Sequence, residues 1–553
     1  MEKTERHSAK SKKYWMVAGA IVLVLLVGLL VVSKNLNAWA AKKLVKQVHT
    51  QSKGMYDLRM SHLEVSVLAG SATLDSVRLI PNPKVWKQMQ QRTPAQAPAS
   101  LSEVKAAKVQ VGGIPFLKLL FGGAFGLSSV QLESPEWELR QMKQDTSSKP
   151  LHERVGKQFR EMAIREIQIK NGSFRYRDKA HRKTDVFSLS GVNLKASGVK
   201  LDSASFQDPS RAFYSKEIDL TAKEAAFSLP NGFYRIKTGL SRVSTQKKEL
   251  IFSRVQLVPL LSAAGMSRKA GMAVTRFSVH VPEVRLSKVD FANLSQNANF
   301  YVGGVAVQNP RVSAYKDGKH FASKGNGLMP HDLVQKIPFG VNIREVNVRN
   351  LAVRYEELSE KALRTGYVTG SNIDLTLTNL TNDKNLISLK NPAVLKARGF
   401  IMGKAAMQAT VRLALLDPNG YHSIEGTIGK GYPAILNPII EPSMFVSVKS
   451  GYVQKGSFKV ELTKTSATGR LQLQYDDFKV DLLSKDKEKK QSFGKKIKTL
   501  LADKLVLKSD SENNGKAPRE GKIEVKRKSE RSFLTYWKDC LANGVLSVIG
   551  APM

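Results

Sequence analysis

The sequence predicts a mainly β protein: an N-terminal transmembrane helix, then an elongated antiparallel strand-repeat architecture with a few short amphipathic helices. Three observations predict it. An uncharged stretch near the N-terminus is long enough to cross a bilayer. Most of the chain beyond it alternates apolar and polar residues with the period of two that a half-exposed sheet needs. One strand phrase, at Ile164–Asp178, returns at Ile343–Glu357, and self-similarity in an alternating chain points to a β-architecture built by repetition.

The uncharged stretch runs from Tyr14 to Ser33, with Ile21, Leu25, Leu29 and Val32 along it. As a helix it would span about 30 Å at ~1.5 Å per residue. It has no polar face, which a core helix of a soluble protein would show. Lys3, Arg6, Lys10, Lys12 and Lys13 precede it, opposed by Glu2 and Glu5. Such a basic flank stays in the cytoplasm, so everything after Ser33 is expected to be translocated, outside the cytoplasm. Tyr14 and Trp15 at one end, and Trp39 past the other, suit the two interfaces. Ala38-Trp39-Ala40 keeps a cleaved signal peptide open as an alternative, although the apolar run exceeds the ~7–15 residues of a signal core. The expected organisation is a basic cytoplasmic tail at 1–13 and the anchor at 14–33. Two halves of a β-rich region come next, at 34–262 and 263–483, then a basic tail with a C-terminal amphipathic helix at 484–553.

The 553 residues carry 87 Lys+Arg against 47 Asp+Glu, a formal charge of +40. That excess favours an anionic partner, although most individual lysines read as solvated surface. The translocated topology points away from nucleic acid and toward membrane phospholipid or an anionic glycan. Cys540 is the single cysteine, so an intrachain disulfide and a CxxC zinc site are both excluded. The core and the strand ladders must hold the fold.

Past the anchor, Leu36, Ala40, Leu44 and Val48 recur every fourth residue and predict a helix. Its basic face, Lys42, Lys43 and Lys46, suits a headgroup surface. Strand texture begins with Leu63, Val65 and Val67, then Leu74, Val77 and Leu79, closed by Pro81-Asn82-Pro83. Phe121–Gly126, FGGAFG, lacks the Lys-Ser/Thr of a phosphate loop and reads as a tight turn. Pro150–Ala163 predicts a short helix with Leu151, Val155, Phe159 and Met162 on one side. In Ile164–Asp178, Ile167 and Ile169 alternate, Asn171-Gly172 comes next, and Phe174 and Tyr176 alternate again. That pattern predicts a hairpin turning at Asn-Gly. The second copy has Leu351 in place of Gly172, so its turn should differ. Looser echoes occur at Leu127–Leu139 and Tyr301–Tyr315.

Alternation is clearest after Val368. Ile373, Leu375 and Leu377 share a face, as do Leu471, Leu473 and Tyr475, then Phe478, Val480 and Leu482. Asp476-Asp477 falls between the last two runs and reads as a turn sooner than as a cation site or acid–base pair. In the final segment, Phe533, Tyr536, Trp537, Leu541, Val545, Val548 and Ile549 have helical spacing. Such a helix either lies in a membrane interface or docks on its own domain.

His7, His49, His62, His152, His181, His280, His320, His331 and His422 are scattered, with no HExxH, HxH or His/Cys cluster. GxSxG and Walker motifs are absent. Cys540 reads as packing on an apolar face. The expectation is a protein that is not an enzyme, with no catalytic residues, no metal and no cofactor.

Several phrases resemble the AsmA-like proteins of Gram-negative bacteria: an anchor, Val77–Pro83 ending in Pro-Asn-Pro, and IREIQIKNGSFRYRD. Gly366–Asn382, Gly469–Leu483 and Arg531–Gly550 resemble the AsmA-like proteins of Bacteroidetes in particular. The resemblance implies an inner-membrane-anchored periplasmic protein with an elongated antiparallel β-groove. Its concave apolar face would hold acyl chains, in phospholipid traffic and outer-membrane assembly, with envelope proteins as further partners. Ile373, Leu375, Leu377, Leu471, Leu473, Tyr475, Phe478, Val480 and Leu482 are the candidate lipid-facing residues. The competing expectation is an envelope scaffold, or a binder of anionic glycan, with a self-packed β core.

Overall fold

The computed structural model describes residues 36–67, 69–115, 126–144, 150–154, 162–178, 186–325, 327–483 and 508–551. It is mainly β, 53% strand against 18% helix. The expected span Tyr14–Ser33, including Tyr14, Trp15, Ile21, Leu25, Leu29 and Val32, lies outside the described residues. So does most of Phe121–Gly126. Among the described residues no helix is long and apolar enough to cross a membrane.

The chain divides into two units. The first takes the described residues of Met1–Pro230, Ile236–Ser253 and Val289–Ala298, and the second those of Asn231–Arg235, Arg254–Lys288 and Asn299–Met553. The first opens with α1 (Leu36–Gln51), β1 (Tyr56–Arg59), β2 (His62–Ser66), β3 (Ser71–Pro81), α2 (Pro83–Arg92) and β4 (Ser100–Gly112). It continues through β5 (Gly126–Glu133), β6 (Glu136–Gln141), α3 (Leu151–Arg154), β7 (Met162–Asp178), β8 (Phe187–Leu201), α4 (Ser203–Gln207), β9 (Glu217–Ala222) and β10 (Glu224–Ser228). The division between units runs near β11 (Tyr234–Thr238), β12 (Ser241–Ser244) and β13 (Glu249–Pro259). Next come α5 (Ala263–Ala270), β14 (Arg276–Val289), α6 (Phe291–Asn297), β15 (Phe300–Gln308), β16 (Arg311–Asp317), α7 (Pro330–Gln335), β17 (Val341–Leu358) and β18 (Gly366–Thr381). β19 (Ala393–Ile401), β20 (Ala405–Leu413), β21 (His422–Ile428), α8 (Asn437–Met444), β22 (Val446–Leu462), β23 (Ser466–Leu482), β24 (Arg519–Lys526) and α9 (Phe533–Ile549) complete the chain.

Local chemistry accounts for several boundaries. Asn82 caps α2, its side chain accepting from the amides of Lys84 and Val85, and Pro83 takes the first helical position, where no amide is needed. The helix expected over Pro150–Ala163 is described only at Leu151–Arg154, and its last two residues already belong to β7.

The sheet is mixed, not antiparallel throughout. β5 and β6 run parallel to β7, and β15 and β16 run parallel to β17. A parallel return needs a long crossover. The chain between β6 and β7 and that between β16 and β17, which includes α7, are each long enough for one.

The repeated phrase is not a hairpin in either copy. Each copy is one continuous strand, β7 or β17, broken by a bulge where the hairpin turn was expected. Asn171 and Asn350 sit at the bulges with φ of 52° and 53°, a left-handed conformation that Asn tolerates. The looser echoes lie alongside in parallel register and bulge at the same level, at Ser134 (φ 47°) and Asn309 (φ 50°). Each break is stitched in the same way. The Ser134 amide donates to the Lys170 carbonyl at 2.8 Å, as Asn309 does to Arg349 at 2.9 Å. The Ser173 amide donates to Pro135 at 2.7 Å, as Ala352 does to Pro310 at 2.9 Å. On the other flank, Asn193 Oδ1 accepts from the Asn171 amide at 3.0 Å, and Asp374 Oδ1 from the Asn350 amide at 3.1 Å. The repeat is thus a three-strand bulged module, used once in each unit.

Candidate functional site

Direct register places apolar side chains in rows across each unit. In the second, Val346, Leu377, Leu395, Val411, Ile424 and Val460 face one another across β17, β18, β19, β20, β21 and β22. A neighbouring row holds Val348, Leu375, Ala397, Ala409, Gly426, Phe458 and Leu471. In the first unit a row runs Leu74, Val109, Leu132, Ile169, Leu194, Leu220, Val243 and Leu250. Paired residues on adjacent strands point to one face, so each unit carries a continuous apolar sheet face.

Burial along these rows is graded. In the second unit Val411, Ile424 and Val460 are 4%, 8% and 1% exposed, whereas Val346, Leu377 and Leu395 are only half-buried. In the first, Leu74 and Val109 are buried, and the row from Leu132 to Leu250 is half-buried. The buried ends are where the chain's own helices sit. Ala40, Leu44 and Val48 of α1 close one core, together with Leu58, Leu63 and Leu74. Tyr536, Cys540, Val548 and Ile549 of α9 close the other.

The candidate lipid-facing residues therefore divide. Ile373, Leu375 and Leu377 stand half-buried on the open part of the face. Leu471, Leu473 and Tyr475 are core residues, and Leu471 is covered by α9. Phe478 and Val480 are half-buried, while the side chain of Leu482 lies outside the described set. β23 is continuous through Asp476-Asp477, with Asp477 in a bulge at φ 46° in place of the expected turn. That extra residue keeps Tyr475 and Phe478 in contact, ring centroids 6.1 Å apart.

α9 docks on its own unit through small residues. A Cβ on Gly544 would stand 2.8 Å from Leu471 Cβ and 2.9 Å from Ile523 Cγ1, and one on Gly521 would stand 2.6 Å from the Gly544 carbonyl. Asn543 Oδ1 and Ser547 Oγ accept from the amides of Glu524 and Lys522 at 2.9 and 3.0 Å. At the other end of the chain, Asn37 of α1 accepts from the Val65 amide of β2 at 3.0 Å. Both helices therefore satisfy strand amides as well as covering apolar side chains. Sequence periodicity located both helices but carried no sign of these side-chain caps. Burial pushes the Cys540 thiol up to about 12, which leaves it a packing group.

The opposite face of the second unit is hydrophilic. A depression of about 670 Å³ across β18 to β22 has a mixed lining: Asp374, Thr376, Lys396, Arg398 and Glu425 of this side, together with Leu375, Ala397, Ala409, Gly426 and Phe458 of the apolar row. Asp374 pairs with Arg398 at 3.1 Å and Arg349 at 3.4 Å. The Asn350 amide first, then Arg398 and Arg349, hold its carboxyl below the usual carboxylate range. Among the described residues no group of His, Cys, Asp and Glu is placed to hold a metal ion.

No family model and no curated protein matches this chain.

Proposed function

We propose that this is an AsmA-like, inner-membrane-anchored periplasmic protein that binds or conducts phospholipid and supports outer-membrane assembly without catalysing a reaction. The observation that carries the reading is the graded apolar face. Rows of Val, Leu and Ile run in register across successive strands, closed by helices at one end and half-exposed elsewhere. An apolar face of this kind requires cover, and acyl chains supply it at low desolvation cost. On this reading the lipid-facing set contracts to Ile373, Leu375 and Leu377 with their row partners. The excess of lysine and arginine meets the lipid phosphates. Strand faces on the elongated groove would hold the chains, and envelope proteins would complete the path.

The competing reading, an envelope scaffold or anionic-glycan binder, is favoured by the exposed Lys396 and Arg398 at the depression beside Asp374. Site-specific photocrosslinking separates the two. A benzophenone side chain at Leu375 should yield phospholipid adducts, and one at Leu471 should yield none. Adducts to protein alone at Leu375 would favour the scaffold.

A further inference from the structure

The outward side of α1 is built differently from a plain solvated helix. Its apolar stripe, Ala40, Leu44 and Val48, is spent on the first unit's core. Centred on the opposite side are Trp39, Lys42 and Lys46, flanked by Lys43 and Val45, all exposed. Trp39 is 39% and Val45 37% exposed, and Lys43 Nζ sits 4.7 Å from the Trp39 ring centroid. Alongside β1 this side of the helix opens into a depression of about 490 Å³. Ala41, Val45 and Met60 give it apolar lining, and Lys42, Lys46, His49 and Asp57 give it polar lining. Asp57 is engaged by His49 Nδ1 at 2.8 Å.

We propose that this side of α1 is a docking surface for an anionic phospholipid bilayer. Lys42 and Lys46 are one helical turn apart and reach the phosphates of the headgroup layer. Trp39 takes the interfacial position that an amphipathic ring prefers. Val45 makes the apolar contact beneath the headgroups, with Ala41 and Met60 behind it packed on the first unit's core. Three exposed lysines attract a negatively charged surface within a Debye length, and salt screens that attraction. Charge complementarity commits the surface to anionic lipid. The uncharged run ending at Ser33 brings α1 next to a bilayer if it spans one. The contact would set how the first unit sits on the membrane. It does not depend on lipid occupying the apolar sheet face.

The test uses the full chain with Val45→Cys carrying a spin label, in nanodiscs of phosphatidylcholine alone or with 30 mol% phosphatidylglycerol. The native Cys540 is buried and stays unlabelled under native conditions. The label should gain oxygen accessibility and lose accessibility to a water-soluble nickel chelate in the anionic discs only. The gain should disappear in 0.5 M salt, and in the Lys42→Glu, Lys43→Glu, Lys46→Glu variant with an unchanged circular dichroism spectrum. Equal accessibility in both compositions, or immersion that survives the charge reversal, overturns the proposal. Leu375→Lys should leave this readout unchanged, so failure here and failure of the lipid-conduit reading are distinguishable.

Discussion

The indole N–H of Trp537 donates to Nε2 of His422 at 3.0 Å, joining α9 to β21. His422 Nδ1 lies 2.8 Å from the Gly420 carbonyl and must donate to it. Nε2 is then the bare nitrogen, and the imidazole is neutral. The His331 ring lies beside it, tilted at 48°, with ring centroids 5.5 Å apart.

This arrangement makes the second unit sensitive to acid. Burial, above all, pushes His422 from its ordinary 6.5 down to about 4, and neighbouring His331 and Arg527 add to the effect. The unfolded chain binds the proton more readily. Stability is therefore full above about pH 6.5, declines as the pH falls toward 4, and levels off below. The span is worth on the order of 3 kcal/mol. Urea unfolding at pH 7 and pH 4.5 should show the loss. Trp537→Phe leaves Nε2 unpartnered and should cost about 1–3 kcal/mol at pH 7.

Close packing of α9 gives a second prediction. Gly544→Leu has no room beside Leu471 and Ile523, and overpacking of this sort costs roughly 1–3 kcal/mol. Limited proteolysis should then release the C-terminal helix at protease levels that leave the parent chain intact. Gly544→Ala should be intermediate.

The bulges give a third. Asn350 holds φ of 53°, which Gly accepts and a β-branched residue resists. Asn350→Gly should be nearly neutral, and Asn350→Val should lose about 1–2 kcal/mol in chemical denaturation. Equal stability of the two variants would mean that the left-handed turn is not what holds this register.

A fourth concerns the strand amides at either end of the chain. Removing Asn37, or Asn543 and Ser547 together, frees the Val65 amide, or those of Lys522 and Glu524. Exposed strand amides invite pairing between molecules. Light scattering after gel filtration should show the Ala variants self-associating at concentrations where the parent chain does not.

Much of this fold was legible because a period of two survives in single sequences. The strands carrying Leu375, Leu471 and Leu74 read correctly as half-apolar. The bulges were legible too, but in a form easily taken for turns. The apolar parity slips between Ile169 and Phe174, between Val348 and Leu351, and between Tyr475 and Phe478. An Asn-Gly or Asp-Asp at such a slip fits a turn and a bulge equally well, and only the register of the neighbouring strand decides. Parallel pairing was invisible for the same reason, since the partners are set by crossovers and not by local pattern. The division of the candidate site into open and covered residues was hidden because Leu375 and Leu471 have the same local pattern. What separates them is α9, some 70 residues downstream of Leu471.

Phospholipid held in the half-exposed rows, as proposed, should stay with the purified protein. Native mass spectrometry of a fragment covering residues 34–553, expressed in a Gram-negative host and taken through gel filtration, tests it most directly. Stoichiometric phospholipid adducts are expected, lost in Leu375→Lys and Leu377→Glu while the β-sheet spectrum is retained. A clean lipid-free mass for the well-folded parent fragment, or adducts unchanged in both variants, would contradict the proposal.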